Sequence, residues 1–214
     1  MRLFSVLVSL ILVCIGSING EIEIANFRKT IVWKDLADPV AIRFASTGKV
    51  YIALKGGKVF VINSIYEHVQ QSTDYRVLVD MSEEVFDWWD RGLSGIALHP
   101  NFPVTPYIYL WYSSDVTRNN TTPIYNDACP SRLCSTLGRL TRLTTDATGT
   151  FLSKKNIQHE PGTELLAKEL LLEIACSYSP SHHTGNALFG PDGDMYLTIG
   201  DGSLIDGRVQ CPCN

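Results

Sequence analysis

The sequence predicts an all-β protein made of repeated strand modules, and both its composition and an internal repeat point to this fold class. Sixteen glycines and 10 prolines punctuate a chain of 214 residues, of which 45% are hydrophobic and 10% aromatic. Between these turn-forming residues lie short runs rich in Val, Ile and Tyr, which are typical of β-strands. The composition therefore favours a turn-rich β fold over a helical bundle or a disordered chain.

The internal repeat consists of a strand, a glycine turn and a second strand. It places an aromatic residue, a glycine four positions later and a tyrosine three positions after that, at Phe44, Gly48 and Tyr51 and again at Phe189, Gly193 and Tyr196. A looser copy occupies residues 95–110. Repeated strand modules in a glycine-rich chain predict propeller blades of four strands each, with a β-sandwich as the structural alternative.

The first copy of the repeat extends into a complete predicted blade. A hairpin turn at 55–58 follows the second strand, because two glycines there lie between two lysines. Alternating apolar residues then predict two more strands. The four strands of this blade are expected at 41–44, 50–53, 59–62 and 75–79.

The next blade begins with strands at 95–98 and 107–110, and a polar insertion of about residues 113–135 precedes a strand at 139–143. Residues 164–174 are ambiguous, because their Leu, Glu, Ala and Lys favour a helix by propensity, whereas their place in the repeat requires a strand. We predict a strand there, at 170–174.

The length of the chain limits the number of blades. A blade takes roughly 40 to 50 residues, and a closed ring needs at least about four blades. By that measure the chain reaches residue 214 during its third blade. Since a partial ring would expose strand edges, we expect about three blades of a larger propeller, from a truncated chain or an incomplete gene model.

Residues 1–20 have the features of a secretory signal peptide. Arg2 provides a positive charge, residues 3–15 form an apolar run of thirteen, and Gly16, Ser17 and Gly20 are small residues suited to cleavage. A span of that length is too short for a transmembrane helix, which needs about 20 residues. The sequence therefore predicts a secreted, extracellular protein whose partial propeller domain spans 21–214.

Secretion changes the interpretation of the cysteines and of one polar loop. In an oxidising compartment the five cysteines outside the signal peptide are expected to form disulfides. Cys129 could pair with Cys134, and Cys176 with either Cys211 or Cys213, which would leave one cysteine for a partner elsewhere. The Cys-Pro-Cys spacing supports zinc only weakly. Two overlapping sequons make Asn119 and Asn120 the predicted glycosylation sites.

Two segments carry a family resemblance. Residues 89–102 read WDRGLSGIALHPNF, and residues 182–202 read HHTGNALFGPDGDMYLTIGDG. Together they resemble the soluble quinoprotein glucose/sorbosone dehydrogenase family, which includes bacterial PQQ-dependent sugar dehydrogenases and hedgehog-interacting-protein-like proteins. The resemblance covers about residues 35–210, and FGPDG with the following tyrosine and Gly-Asp is its most specific part.

The resemblance implies a six-bladed propeller that holds PQQ and Ca²⁺ at its axis. It implies that His182 is the catalytic base, which takes the proton of a substrate hydroxyl while hydride passes to the quinone. It also implies that Asp90, Arg91 and Ser181 contact the substrate. Two positions depart from the family's glucose enzymes, since Ser181 replaces an Asp and Asp90 replaces a Gln. The residues that clamp PQQ and ligate its Ca²⁺ are expected beyond residue 214.

The sequence thus predicts a secreted protein that oxidises a sugar or polyol hydroxyl with PQQ and is inactive as this portion alone. The alternative is a non-enzymatic extracellular binding propeller of the hedgehog-interacting-protein type, with a protein ligand. A net charge of −4 without a basic stripe argues against nucleic acid.

Residues near these motifs also have simpler interpretations. His183 is expected to be a packed or solvated neighbour of His182, and no metal site is predicted there. Asp201 is expected to bond loop backbone at its strand end. Trp88 and Trp89 could stack on a sugar, but are expected in the core between blades.

Overall fold

The computed structural model describes residues 33, 35–64, 75–115, 136–152, 154–156, 164–166, 168–177 and 181–201. Within these ranges the secondary structure consists of strands and contains no helix, which confirms the predicted all-β class. The predicted signal peptide lies outside the described residues, as do the side chain of Cys176 and residues Asn119, Asn120, Cys129, Cys134, Cys211 and Cys213. Across the part of the chain that is described, no helix is long and apolar enough to span a bilayer.

The first sheet is an antiparallel meander in which neighbours in sequence are neighbours in space. Its strands are β1 (Pro39–Phe44), β2 (Val50–Leu54), β3 (Lys58–Ile62) and β4 (Arg76–Asp80), in the order β1-β2-β3-β4. The predicted hairpin turn joins β2 to β3, and Gly57 N donates to Leu54 O over 3.0 Å. The predicted strands of this blade are all confirmed, to within two residues at each end.

The second sheet has the same topology with one insertion. It starts with β5 (Leu93–Leu98), β6 (Tyr107–Asp115) and β7 (Thr136–Thr144); a short hairpin of β8 (Lys154–Asn156) and β9 (Glu164–Leu166) follows, and β10 (Lys168–Ser177) then pairs with β7. The order is therefore β5-β6-β7-β10. Within the ambiguous stretch, residues 164–166 and 168–174 are strand, and the predicted strand at 170–174 is confirmed as part of β10. The ladder between β10 and β7 outweighs the helical propensity of these residues.

The third sheet is a hairpin of β11 (Thr184–Phe189) and β12 (Met195–Ile199). Its turn has Gly193 at φ 86°, a left-handed conformation that favours glycine, as Gly48 has at the matching position of the first copy. The described chain therefore contains two complete four-stranded blades and the first two strands of a third. This architecture confirms the predicted propeller of which about three blades are present.

The hydrophobic core lies between the sheets and follows the alternation of the strands. One face of β2 and β3, with Tyr51 and Val59, packs against Ile96 and Leu110 of the second blade. The next layer, between the second and third blades, contains Trp111 together with other apolar residues: Ala97, Tyr109, Leu140 and Ala187. Each fully buried large apolar side chain contributes about 1.5–3 kcal/mol, so blade-to-blade contact is a main source of stability.

We call β1, β5 and β11 the inner strands, since each begins its blade and β5 contacts both of the others. Gly95 on β5 allows this approach, because a Cβ there would lie 2.7 Å from Ala187 N on β11. Arg43 of β1 also reaches β11, where it donates to Asn186 Oδ1 and Ala187 O over 2.7 and 3.0 Å. The inner strands thus hold the three blades together.

Candidate functional site

The beginnings of the three inner strands lie at one end of the propeller, as a chain of short contacts shows. Asp38, just before β1, accepts from Lys55 N over 2.9 Å, and Lys55 O accepts from Leu93 N of β5 over 2.8 Å. Ser113 N donates to Gly92 O over 2.9 Å. The Ser113 hydroxyl lies 2.7 Å from His183 Nδ1, just before β11. This end, which we call the inner-strand start, carries the beginnings of both segments of the family resemblance.

At the inner-strand start, His182 and Asp201 form a hydrogen-bonded pair. His182 Nδ1 lies 2.8 Å from Asp201 Oδ1, and the two side chains are 53% and 66% exposed. An ionised carboxylate only accepts hydrogen bonds, so the proton of a neutral imidazole lies on Nδ1 and Nε2 is the basic nitrogen. The pair is thus exposed to solvent, and in this tautomer the imidazole could accept a proton at Nε2.

The backbone around His182 is held in an unusual conformation. Its φ is 56°, in the left-handed region that non-glycine residues adopt at a cost of about 1–3 kcal/mol. Gly200 allows the close packing behind it, because a Cβ at Gly200 would lie 2.2 Å from His182 O. Gly200 N also donates to His183 O over 2.7 Å. Asp201 comes next in the chain and is thereby carried to the imidazole.

Sequence analysis did not find the pairing of His182 with Asp201, because the pairing depends on an irregularity in the hairpin of β11 and β12. Thr184 and Ile199 are partners in the hairpin of β11 and β12. Extension of that antiparallel register by two residues places His182 opposite Asp201. The register shifts by one residue between Thr184 and Ala187, so the pairing of Ala187 with Leu197, carried past the strand ends, would have placed His183 and not His182 opposite Asp201.

His183 points the other way and is buried, with 5% of its surface exposed. Its Nδ1 lies 2.7 Å from Ser113 Oγ and its Nε2 lies 2.9 Å from Thr136 Oγ1. Burial, together with the nearby positive charge of Arg91, lowers the pKa of His183 to about 4. The imidazole is therefore neutral at physiological pH, and of the two expected alternatives His183 is the packed neighbour and not the solvated one.

The three predicted substrate contacts differ in their surroundings. Asp90 is exposed, whereas Ser181 and Arg91 are 6% and 1% exposed. The Arg91 guanidinium lies over the Phe86 ring, 5.3 Å from its centre. The role of these three residues in substrate binding stays a prediction.

The expected core position of the tandem tryptophans is wrong. Trp88 and Trp89 lie in the loop before β5, and their side chains are 50% and 44% exposed. Trp89 has φ 57°, and Trp88 O accepts from Arg91 N over 3.2 Å. The loop turns back after these residues and buries Arg91 in place of the indoles.

The structure places His182, the base that the resemblance implies, at an exposed position, but the described residues do not form a holder for PQQ or Ca²⁺. No group of three or more His, Cys, Asp or Glu side chains among them could bind a metal ion. The tricarboxylate PQQ would need cationic partners, but Arg91 is buried under the loop and Arg43 is bonded to β11. A described cavity of about 330 Å³ lies at the opposite end of the inner strands, beside Phe44, His99 and Phe189, and does not include His182.

Comparison with known proteins agrees with this architecture. Residues 36–211 match the family model described as Glucose / Sorbosone dehydrogenase. Quinoprotein glucose dehydrogenase B of Acinetobacter calcoaceticus is 25% identical over 187 residues, which are 86% of this chain and 32% of that protein. The chain thus spans about a third of the length of the curated relative.

Two solved structures are similar in fold. The PQQ-bound form of aldose sugar dehydrogenase from Streptomyces coelicolor has a TM-score of 0.55 at 17% identity, over 81% of this chain and 41% of that one. A putative oxidoreductase (glucose dehydrogenase) from Thermus thermophilus has a TM-score of 0.52 at 22% identity, over 79% and 39%. The propeller fold and the match over most of the chain lead to one conclusion: the protein belongs to the glucose/sorbosone dehydrogenase family.

Proposed function

We propose that this chain contributes the general base of a sugar or polyol dehydrogenase, and that His182 is that base. The observation that supports the proposal is the contact between His182 Nδ1 and Asp201 Oδ1 at 2.8 Å, at the end of the propeller where the inner strands begin. The carbon that bears a hydroxyl loses hydride readily only as the hydroxyl proton leaves, so a positioned base is what the chemistry requires.

In the proposed step, a substrate hydroxyl gives up its proton to one acceptor, and the carbon that bears the hydroxyl gives up a hydride to another. The proton of the hydroxyl passes to His182 Nε2, the hydride of the adjacent carbon passes to the oxidant, and the product is a carbonyl compound. Asp201 stabilises the imidazolium that forms and keeps the imidazole in the tautomer whose Nε2 accepts the proton. Asp201 also supplies the charge that Ser181, at the position before the base, does not.

The oxidant in this proposal is PQQ, which when bound takes up the hydride and so supplies the redox chemistry. Support comes from the quinoprotein relative and from the PQQ-bound neighbour. The residues that would hold PQQ, and Ca²⁺ with it, lie outside the described part of the chain. No step is therefore assigned to them.

The proposed site of action is outside the cell. The apolar run at residues 3–15, the five cysteines after it and the sequons at Asn119 and Asn120 support this proposal. The secreted protein would begin near residue 21. Terminal sequencing, intact mass before and after reduction, and a gel shift with glycosidase test these three features separately.

The experiment that tests the enzymatic role uses the protein expressed from its complete natural transcript. PQQ and calcium are added, and reduction of an artificial electron acceptor is followed with a panel of aldoses and polyols. We expect turnover with at least one substrate, and a fall in kcat of about 10²–10⁴-fold in His182→Ala. His99→Ala, a histidine at the opposite end of the inner strands, is the matched control and should retain kcat.

Two results would contradict the proposal. Full turnover in a folded His182→Ala variant would remove His182 from the base role. A wild-type protein that neither binds PQQ nor oxidises any substrate of the panel would instead favour the extracellular binding propeller.

A further inference from the structure

We infer that His183 is a positioning residue for the proposed base. Its imidazole is fixed between two hydroxyls of the second blade, and this fixes the backbone conformation that holds His182 Nδ1 beside Asp201 Oδ1. The catalytic meaning of this inference rests on the proposed function. Its geometric content does not, since the contacts can be tested without turnover.

The first part of the argument is the attachment of His183 to the second blade. Ser113 lies on β6 and Thr136 on β7, and both are fully buried. Their hydroxyls lie 2.7 and 2.9 Å from the two imidazole nitrogens. A neutral imidazole has one donor and one acceptor, and each hydroxyl can act as either, so both hydrogen bonds form in either tautomer. The ring is thus held at both ends.

The attachment extends through a short network of hydroxyls. Thr184 Oγ1 lies 3.1 Å from Ser113 Oγ and accepts from Ser94 Oγ over 2.9 Å. Ser94 therefore joins β5 to the start of β11, beside the bonds that join His183 to β6 and β7. Buried polar networks of this kind specify one arrangement, because a partner removed from any member leaves a buried polar group unsatisfied.

The second part of the argument is that His183, which directly follows His182, is fixed both at its side chain and at its backbone carbonyl. On one side, the His183 side chain is bound to the second blade. On the other, His183 O accepts from Gly200 N over 2.7 Å, and Gly200 precedes Asp201. His182 adopts its left-handed φ of 56° at this point, and such strain persists only where the surroundings over-determine it.

Adjacent histidines at this site thus differ in role because they differ in exposure. His182 is half-exposed and bonded to a carboxylate, which suits proton transfer. His183 is buried beside the positive charge of Arg91, so it stays neutral and serves as a hydrogen-bonding anchor. An apolar residue of similar size could fill the same space, but it could not satisfy the Ser113 and Thr136 hydroxyls.

The test reads the state of His182 directly, by long-range ¹H–¹⁵N correlation NMR of the histidine-labelled full chain. In the wild type we expect His182 to show one tautomer, protonated at Nδ1. In His183→Leu we expect a mixture of His182 tautomers, because His182 Nδ1 would no longer be held within hydrogen-bonding distance of Asp201. His99→Leu is the matched control and should leave the His182 signals unchanged. Amide dispersion and circular dichroism report whether each variant is folded.

Two further variants keep the test decisive if His183→Leu does not fold. Ser113→Ala and Thr136→Val each remove one hydrogen bond to the His183 imidazole without removing the imidazole itself. Each variant should shift the His182 tautomer population towards the mixture. His183→Gln, whose amide has both a donor and an acceptor, should restore the single tautomer. A folded His183→Leu, or a folded Ser113→Ala and Thr136→Val pair, with wild-type His182 signals would overturn the inference.

Turnover provides a second readout that separates this inference from the proposed function. With an active enzyme we expect His183→Leu to lower kcat about 10- to 100-fold with little change in KM, and His183→Gln to recover most of it. If the wild type shows no sugar oxidation but His182 responds to His183→Leu, the proposed function fails and the positioning role stands. If turnover is present and kcat is unchanged in a folded His183→Leu, the positioning role fails alone.

Discussion

Trp111 Nε1 donates a hydrogen bond of 3.0 Å to the backbone carbonyl of Thr198, and thereby joins the second blade to the third. The indole is fully buried, and it packs beside Gly138, where a Cβ would lie 2.8 Å from its ring. Trp111 lies on β6 in the layer that also carries the hydroxyls around His183. Cohesion between these blades and the geometry of the proposed base therefore depend on the same stretch of β6.

We expect Trp111→Phe to lower the free energy of unfolding by about 1–3 kcal/mol. The change removes the hydrogen bond, leaves the Thr198 carbonyl without that donor and opens a small cavity. Urea denaturation followed by circular dichroism measures the effect. Trp88→Phe is the matched control, and because Trp88 is half-exposed its variant should stay within about 0.5 kcal/mol of the wild type. Equal stabilities of the two variants would contradict the role of the indole bond.

Asp201→Asn should impair the proposed reaction while the fold is retained. The amide can donate to His182 Nδ1, which would favour the tautomer with its proton on Nε2 and leave no base facing the substrate. We expect kcat to fall by at least about 100-fold. Asp194→Asn, in the turn before β12, is the matched control and should leave kcat unchanged. A kcat within threefold of the wild type in folded Asp201→Asn, as a rough bound, would remove Asp201 from the mechanism.

A methyl group at Gly200 should displace the His182 backbone. Gly200→Ala would place its Cβ 2.2 Å from His182 O, a backbone atom that cannot swing aside as a side chain can. We expect a loss of about 1–3 kcal/mol in unfolding free energy, together with loss of the single His182 tautomer by NMR. Gly56→Ala, whose Cβ would meet only an Asp87 oxygen at 3.4 Å, is the control. An unperturbed His182 in Gly200→Ala would show that the close contact does not constrain the loop.

Stability should fall as pH is lowered from about 6.5 towards 4, in part because of His183. Burial and the charge of Arg91 lower the pKa of His183 from 6.5 to about 4 in the folded chain. Between these values the unfolded chain binds a proton that the folded chain does not. The expected loss, which is complete near pH 4, is up to about 3 kcal/mol.

His183→Gln isolates this contribution, since it keeps the hydrogen-bonding capacity of the site and removes the titration. Urea midpoints of the wild type and the variant should be compared at pH 7.5, 6, 5 and 4. The carboxylates and the other histidines are common to both proteins, so the difference between the two curves belongs to position 183. Parallel curves over this range would contradict the lowered pKa.

Much of the local structure could be predicted from the sequence because it depends on neighbours in the chain. Alternating apolar residues and glycine turns located all four strands of the first blade and the hairpin of the third. The stretch at 164–174 shows the limit of this reasoning, since its residues prefer a helix by composition. Its place in the repeat, and hence its pairing with β7, was the better guide.

Which side chains are exposed, and which residues meet at the candidate site, depended on contacts between residues far apart in the chain. Apolar composition suggested a core position for Trp88 and Trp89, but the loop before β5 exposes the indoles and buries Arg91. Composition cannot predict this, because burial of a loop residue is decided by the path of the loop over the neighbouring blade.

By itself, the sequence determined the fold class, most of the strands in their order and the family to which the chain belongs, but not the hairpin of β8 and β9. It also identified His182 as the proposed base, through motifs that are contiguous in the chain. Only the tertiary structure decided what His182 and His183 touch. Asp201 reaches one imidazole through the register of a hairpin, and Ser113 and Thr136 reach the other from a different blade. Such contacts arise when strands pair and sheets stack, so no local pattern of residues specifies them.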